Sequence, residues 1–400
     1  MVFAKCLDLI KCKRCSSRLD TEVLECGDDG KVLDAVLNCV GCGVSYVVSD
    51  GVFLGVKSRI NQDRIRVFNE KYNRRYSIEF SGSDYIDFVE NEQYPRKETV
   101  ADVFRKILAG GYYVGVIVLV AAFLWFFGSA RDKGRLYRKR AGDLAREYYY
   151  VPEMAIQKII EMEALEGAFD EIPRRLLDIG GGNGIVTGIF LGNRRECCVN
   201  VDLFAAPSQT YDLIISDDIR SPVLNAGSFD GAMSICVLEH IPEAHTLLPY
   251  IASLLSPGAV FAFTTPRKRY VESLVLVRLL SRLMPRSSEA YKRFDLKKSH
   301  HVSLYGRREM MGYIDAAGFS GVSVVPFYKA GHLFVYDLIN LPAKLPSSWY
   351  FWAELKQFLD RIPFLKRMFC RMVYGMLLRL DLNGEREKNR FTHYLYVCRK

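Results

Sequence analysis

The run at 176–184, LLDIGGGNG, constrains this chain more than any other stretch. Ile172, Leu176, Leu177 and Ile179 predict a buried strand, and Gly180, Gly182 and Gly184 allow positive φ and close backbone approach before a helix over 185–190. A strand, a glycine turn and a helix in that order can cradle a ligand. The spacing is G-x-G-x-G with Asp178 two positions ahead, which is not the G-x-G-x-x-G of dinucleotide-binding turns. A second apolar run, CCVNVD, closes on Asp202 about 20 residues further on, where a ribose-binding acid belongs.

Together these residues resemble the class I S-adenosylmethionine-dependent methyltransferases. The resemblance continues through SDDIRSPVLNAGSFDGAMSICVLEHIPE, LLSPGAVFAFTTP and DAAGF, and covers 174 to about 327. It implies a Rossmann-like α/β fold with a seven-stranded sheet. It also implies that Asp178, Gly180, Gly182 and Gly184 hold the amino-acid end of S-adenosylmethionine, that Asp202 grips the ribose hydroxyls, and that Asp218 or Asp217 stands near the adenine. The closing THYLYVCRK alternates like the last, antiparallel strand of that fold.

At 400 residues the chain is long enough for two or three units with a sizeable core. The first, at 1–56, carries Cys12-Lys13-Arg14-Cys15 and Cys39-Val40-Gly41-Cys42, two C-x-x-C knuckles at the spacing of a four-thiolate zinc ribbon. Fifty residues with few large apolar side chains need such a staple, and four thiolates leave the metal no open position for chemistry, so a structural zinc is expected. Cys6 and Cys26 fall outside the pattern and are expected to be ordinary thiols, the adjacent Cys197 and Cys198 cannot easily pair, and a reducing compartment is expected. The unit resembles the short zinc-ribbon family whose stand-alone members activate tRNA and protein methyltransferases, through KCKRCSSRL and LNCVGCGVSYVVSDGVFLG.

Residues 57–106 are polar and mixed and read as a connecting region. Residues 107–130, ILAGGYYVGVIVLVAAFLWFFGSA, carry no charge and, as a helix, are long enough to span a bilayer. Basic residues crowd the segment that follows, which places the catalytic side in the cytoplasm but would leave the ribbon thiolates outside; a shallow insertion avoids that conflict. Residues 131–172 read as a basic juxtamembrane segment with a helix over 144–167, in which Tyr148, Tyr149 and Tyr150 are candidates to face a sulfonium. The catalytic unit is expected at 173–330 plus 390–400, with an amphipathic lid or membrane-interface insertion at 331–389. Leu274, Leu276, Val277, Leu279, Leu280 and Leu283 form another broad apolar face among basic residues, suited to a membrane interface. In layout this insertion resembles that of the ubiquinone-biosynthesis O-methyltransferases.

Methyl transfer asks a protein to align the reactants, exclude water and, for a hydroxyl acceptor, remove a proton. His301 and His300, in KKSHHVSLYGRREMM, stand where the resemblance places a histidine over the acceptor, and His240 in LEHIP is a further wall or packing residue. The expected activity is O-methylation of a lipid-borne or amphiphilic acceptor at a membrane, such as a prenylated quinone precursor or a polyprenyl or glycan intermediate. Two other readings stay open: an RNA or protein methyltransferase that uses the ribbon for recognition, and a membrane-anchored ribbon adaptor with an inactive fold. The net charge of +9 suits an anionic membrane or a nucleic acid, and no aromatic RNA-binding motif accompanies it.

Overall fold

The computed structural model describes residues 6, 9–28, 30–73, 111–112, 115–122, 134–169, 171–192, 197–220, 223–329, 332–333, 336–337, 349–380 and 391–400. The N-terminal unit is an antiparallel meander of β1 (Leu19–Cys26), β2 (Val32–Cys39), β3 (Ser45–Ser49) and β4 (Val52–Leu54). Asp50 and Gly51, with φ of 51° and 75°, close the β3–β4 hairpin as a two-residue turn that requires positive φ at both positions. β4 does not end the unit: it pairs in parallel with β7 (Leu213–Ser216), Val52 opposite Ile214 and Leu54 opposite Ser216.

The catalytic strands are β5 (Arg175–Ile179), β6 (Cys197–Asp202), β7, β8 (Phe229–Ile235), β9 (Leu255–Pro266), β10 (Ser320–Lys329) and β11 (Phe391–Arg399). Among the described residues one sheet of 11 strands runs β1-β2-β3-β4-β7-β6-β5-β8-β9-β11-β10. β7, β6, β5, β8 and β9 are parallel, and β11 inserts antiparallel between β9 and β10. Seven strands are expected for this sheet, and seven follow the meander among the described residues. The order reverses between β5 and β8, which opens a crevice at the carboxyl ends of those strands.

Both faces are covered. On one, α2 (Arg135–Glu147), α3 (Pro152–Glu166), α4 (Ile185–Leu191) and α10 (Pro363–Arg379) bury Leu144, Ile156, Ile159, Phe190 and Val373 against the sheet. On the other, α5 (Leu248–Leu254) and α8 (Arg307–Ala316) join ribbon residues such as Leu9 and Cys12 in a second core. Three further helices, α6 (Val275–Leu283), α7 (Pro285–Lys298) and α9 (Trp349–Arg361), pack against the first core through Val277, Leu296 and Leu355.

The structure differs from the sequence expectation at several points. The connecting region begins with a 14-residue helix, α1 (Arg59–Tyr72), capped by Ser58. It buries Ile65 and Phe68, and Asn61 Nδ2 donates to Ser216 Oγ at 2.9 Å. The rest of that region lies outside the described residues. Cys6 is disulfide-bonded to Cys197 and so is not the ordinary thiol expected; the fold brings positions 191 apart in sequence together through the covered sheet face.

Of 107–130, only residues 111–112 and 115–122 are described, and Val116, Ile117 and Val120 are buried in the core whereas Leu119 is 70% exposed. No helix among the described residues is long and apolar enough to cross a membrane. The side chains at 349–352 also lie outside the described part.

Candidate active site

The glycine turn follows β5 as its spacing requires. Gly180 has φ 75°, and a Cβ there would meet Val237 Cγ2 at 2.4 Å; Gly184, also at φ 75°, starts α4 with Tyr211 where its Cβ would stand. Neither position admits a side chain. Asn200 on β6 braces the turn, accepting from Gly181 N at 3.0 Å and donating to Gly182 O at 3.1 Å.

The two acids of the motif part company. Asp202 ends β6 with one carboxylate oxygen accepting from Gly182 N (2.9 Å) and the other from Phe204 N (2.7 Å), and burial raises its pKa. It stands on the wall of a cavity of about 500 Å³. Asp178 turns inward instead: its carboxylate accepts from Thr187 and from Tyr211 OH (2.7 Å), and burial pushes its pKa up to about 6. Its side chain is not among the residues lining the cavity.

Asp217 and Asp218, after β7, both reach the cavity. The Asp217 carboxylate is held from behind by Lys13 Nζ at 2.7 and 2.9 Å, and Lys13 also donates to Gly55 O at 3.1 Å. A Cβ at Gly55 would lie 2.5 Å from Asp217 Oδ2, so the chain after β4 passes hard against that acid. Asp218 forms a two-pronged pair with Arg220, and Ile219 between them also lines the cavity.

From Gly180, Asp202 and Ile219 the cavity runs past Cys236 and Val237 to His240, Ser299 and His300. His240 Nδ1 lies 3.2 Å from His300 O, which as donor to a carbonyl leaves Nε2 the proton-accepting nitrogen. Burial lowers the pKa of His240, so the ring is neutral. His301 is not on the wall; its Nδ1 meets Tyr270 OH at 2.6 Å, its ring packs 4.9 Å from that of His240, and burial takes its pKa down to about 3.

Behind this end lies a buried polar set in which Glu239 and His240, by themselves too few ligands to make a metal site from sequence, are joined by His301. Glu239 is fully buried with a pKa pushed up to about 8 by desolvation, and its Oε2 has no hydrogen-bond partner among the described residues. Glu239, His240 and His301 each offer a ligand atom within 4.8 Å of the others. On α3, Glu161 accepts from the Cys236 thiol at 3.1 Å and from Lys158 Nζ at 2.8 Å. As an i, i+3 pair, Lys158 and Glu161 have the look of a solvated helix face, and only tertiary packing turns them inward. None of Tyr148, Tyr149 and Tyr150 lines the cavity; Tyr149 OH donates to Asp360 at 2.5 Å.

The ribbon sulfurs converge as well. Cys12, Cys15, Cys39 and Cys42 lie within 4.8 Å of one another, with Sγ separations of 3.6 Å for Cys12–Cys42 and 3.3 Å for Cys15–Cys39. A tetrahedral zinc with ~2.3 Å bonds sets sulfurs about 3.8 Å apart. Gly41 N and Cys42 N donate to Cys39 Sγ, as amides do around a knuckle thiolate. The four side chains thus fit a tetrahedral metal.

Residues 149–324 match the family model described as a methyltransferase domain. The ubiquinone biosynthesis O-methyltransferase of Thiobacillus denitrificans is 26% identical over 136 residues, covering 30% of this chain and 58% of that protein. The protein of the same name from Methylococcus capsulatus is 25% identical over 193 residues, covering 44% and 77%. Among solved structures, phosphoethanolamine N-methyltransferase 2 of Haemonchus contortus aligns over 60% of this chain and 52% of its own at 16% identity, with a TM-score of 0.37. Residues 149–324 of the chain are therefore a methyltransferase domain, and the chain spans about three fifths of the length of the first of these relatives.

Proposed function

We propose that this chain transfers a methyl group from S-adenosylmethionine to a hydroxyl of an amphiphilic acceptor at a membrane surface. The observation that carries the reading is the single cavity joining the glycine turn and Asp202 to the imidazole of His240. S-adenosylmethionine, when bound, supplies an electrophilic methyl on a sulfonium. The chain's own residues do the rest. Gly180 brings bare backbone to the amino-acid end, Gly182 steadies Asp202 through its amide, Asp202 keeps its outward lone pairs for the ribose hydroxyls, and Asp218 and Ile219 flank the adenine. Cys236, Val237 and Ile241 wall off water at the far end.

An oxygen acceptor needs a proton removed, and of the two histidines on the cavity wall, His240 and His300, His240 has one ring nitrogen tied to a carbonyl and the other left to act as base. Its Nδ1–H is fixed on the His300 carbonyl, so Nε2 receives the proton. Glu239, His301 and Tyr270 act through it by holding the ring and setting the polarity behind it. The zinc held by Cys12, Cys15, Cys39 and Cys42 is structural and supplies no open coordination position.

Membrane association is supported by exposed apolar side chains beside basic ones. On α6, Leu279 and Leu283 are 52% and 69% exposed, four positions apart, with Arg278 and Arg282 next to them. Relatives named for ubiquinone biosynthesis make a prenylated phenol the first acceptor to try.

The test is mass spectrometry of lipid extracts from cells with and without the gene. A species that loses one methyl in the deletion, and regains it with the wild-type chain but not with Asp202→Ala, is the expected result. An unchanged lipid profile, with methylation found on RNA or protein instead, would overturn the acceptor assignment.

A further inference from the structure

Helices α2 and α10 lie side by side, with Tyr137 OH donating to Leu377 O at 2.8 Å. They leave a second cavity, of about 410 Å³, that shares no lining residue with the first. Arg138, Lys139, Arg146 and Arg371 stand on its wall, all of them solvent-exposed. Asp143 is the one carboxylate among the lining residues, and it is taken by Arg146. Four cations around one carboxylate make a basin of positive charge. Gly142 faces it from inside α2, where a glycine costs about 1 kcal/mol relative to alanine. A Cβ there would meet Arg146 Nη1 at 3.9 Å and Tyr374 Cε2 at 4.0 Å, both on the groove wall, so a side chain at this position would project into the groove.

The groove has an apolar approach on the same helix. Phe364 and Met368 are 69% and 47% exposed, and with Arg371 they occupy positions i, i+4 and i+7 of α10, one stripe of its surface. Exposed phenylalanine and methionine leading to clustered guanidinium groups match an amphiphile whose anionic end is a phosphate ester. A free phosphate would use the cations and leave the stripe without purpose.

We infer that the α2–α10 groove binds the phosphate headgroup of an anionic membrane phospholipid, with Phe364 and Met368 entering the apolar layer beside it. The site is a docking point distinct from the methyl-transfer cavity. It rests on the membrane reading above only for its setting, because its test measures binding without turnover.

The full-length protein is mixed with vesicles of phosphatidylcholine alone or with added phosphatidylglycerol, and sedimentation separates bound from free. Binding should require the anionic lipid and weaken with salt. Lys139→Glu with Arg371→Glu should reduce partitioning by about tenfold or more, as loss of juxtamembrane basic charge does. Phe364→Ser should reduce it without changing the salt dependence. Both variants should keep wild-type affinity for S-adenosylhomocysteine, which shows that they are folded. Equal partitioning of wild type and the charge-reversed variant overturns the assignment. So does calorimetric binding of inorganic phosphate that matches vesicle binding and ignores Phe364→Ser, which would make the groove a soluble-phosphate site. If S-adenosylhomocysteine fails to bind any form while vesicle binding follows the pattern above, the cofactor reading falls and the groove assignment stands.

Discussion

Lys13, between the first two ribbon cysteines, places its ammonium 2.7 Å from the carboxylate of Asp217, which is fully buried at the end of β7. An ion pair so enclosed is costly to break from one side, because the surviving charge is left without a partner. Lys13→Met should therefore destabilise the chain by about 3 kcal/mol. Since Asp217 and its neighbour Asp218 both reach the cavity proposed to hold the cofactor, affinity for S-adenosylhomocysteine should fall as well. Pairing Lys13→Met with Asp217→Asn should recover part of the stability. Urea denaturation of the four proteins of that cycle checks it, and strictly additive losses would show that the two residues do not communicate.

Metal removal should act on the same wall. One zinc per chain is expected by atomic absorption, and Cys15→Ser with Cys42→Ser should abolish it. Without the metal the knuckle that presents Lys13 loses its closure, so the melting temperature and the cofactor affinity should drop together. A chain that binds no zinc yet keeps both properties would refute the structural role given to the ribbon sulfurs.

His240→Asn should lower kcat by roughly 10²- to 10⁴-fold, the range for loss of a positioned base, with little change in cofactor affinity. Burial lowers the pKa of this ring, and the base form is the neutral one. The wild-type rate should thus climb with pH only below the ordinary histidine value of about 6.5 and be flat above it. His301→Asn should cost less. A rate that tracks added magnesium or manganese would instead assign the cluster of Glu239, His240 and His301 to a cation.

Acid sensitivity follows from two other rings. Burial takes His301 down to about 3 and His393 down to about 4, against an unfolded value near 6.5. Between those limits the unfolded chain binds protons that the folded chain refuses, so the contribution is complete above pH 6.5 and is lost as pH falls. His301→Gln with His393→Gln should flatten the decline in urea midpoint between pH 7 and pH 4.5. An equally steep decline in the double variant would mean that other groups carry it.

The strand, turn and acids at 176–202 were legible because each is local: an apolar run, three glycines and a strand-end carboxylate lie within about 30 positions. The four ribbon cysteines were legible for the same reason. What escaped depends on distance in sequence. β4 is three residues long and gains its partner from β7. Cys6 and Cys197 are remote from each other, and Lys13 gives no hint of Asp217. Glu239 and His240 are neighbours in the LEH run and could be read together, but nothing local announces that His301, about 60 positions later, completes the buried cluster. α1 has a polar sequence that hides its short buried stripe of Ile65 and Phe68.

The join between β4 and β7 also dictates an order of events. Val52 pairs with Ile214, roughly 160 positions later, so a ribosome releases the N-terminal meander long before its neighbour strand exists. During that interval the rim of β4 is an open row of amides and carbonyls, able to recruit any passing strand. The nascent meander must wait, stapled by its own thiolates, until β7 arrives to close the row.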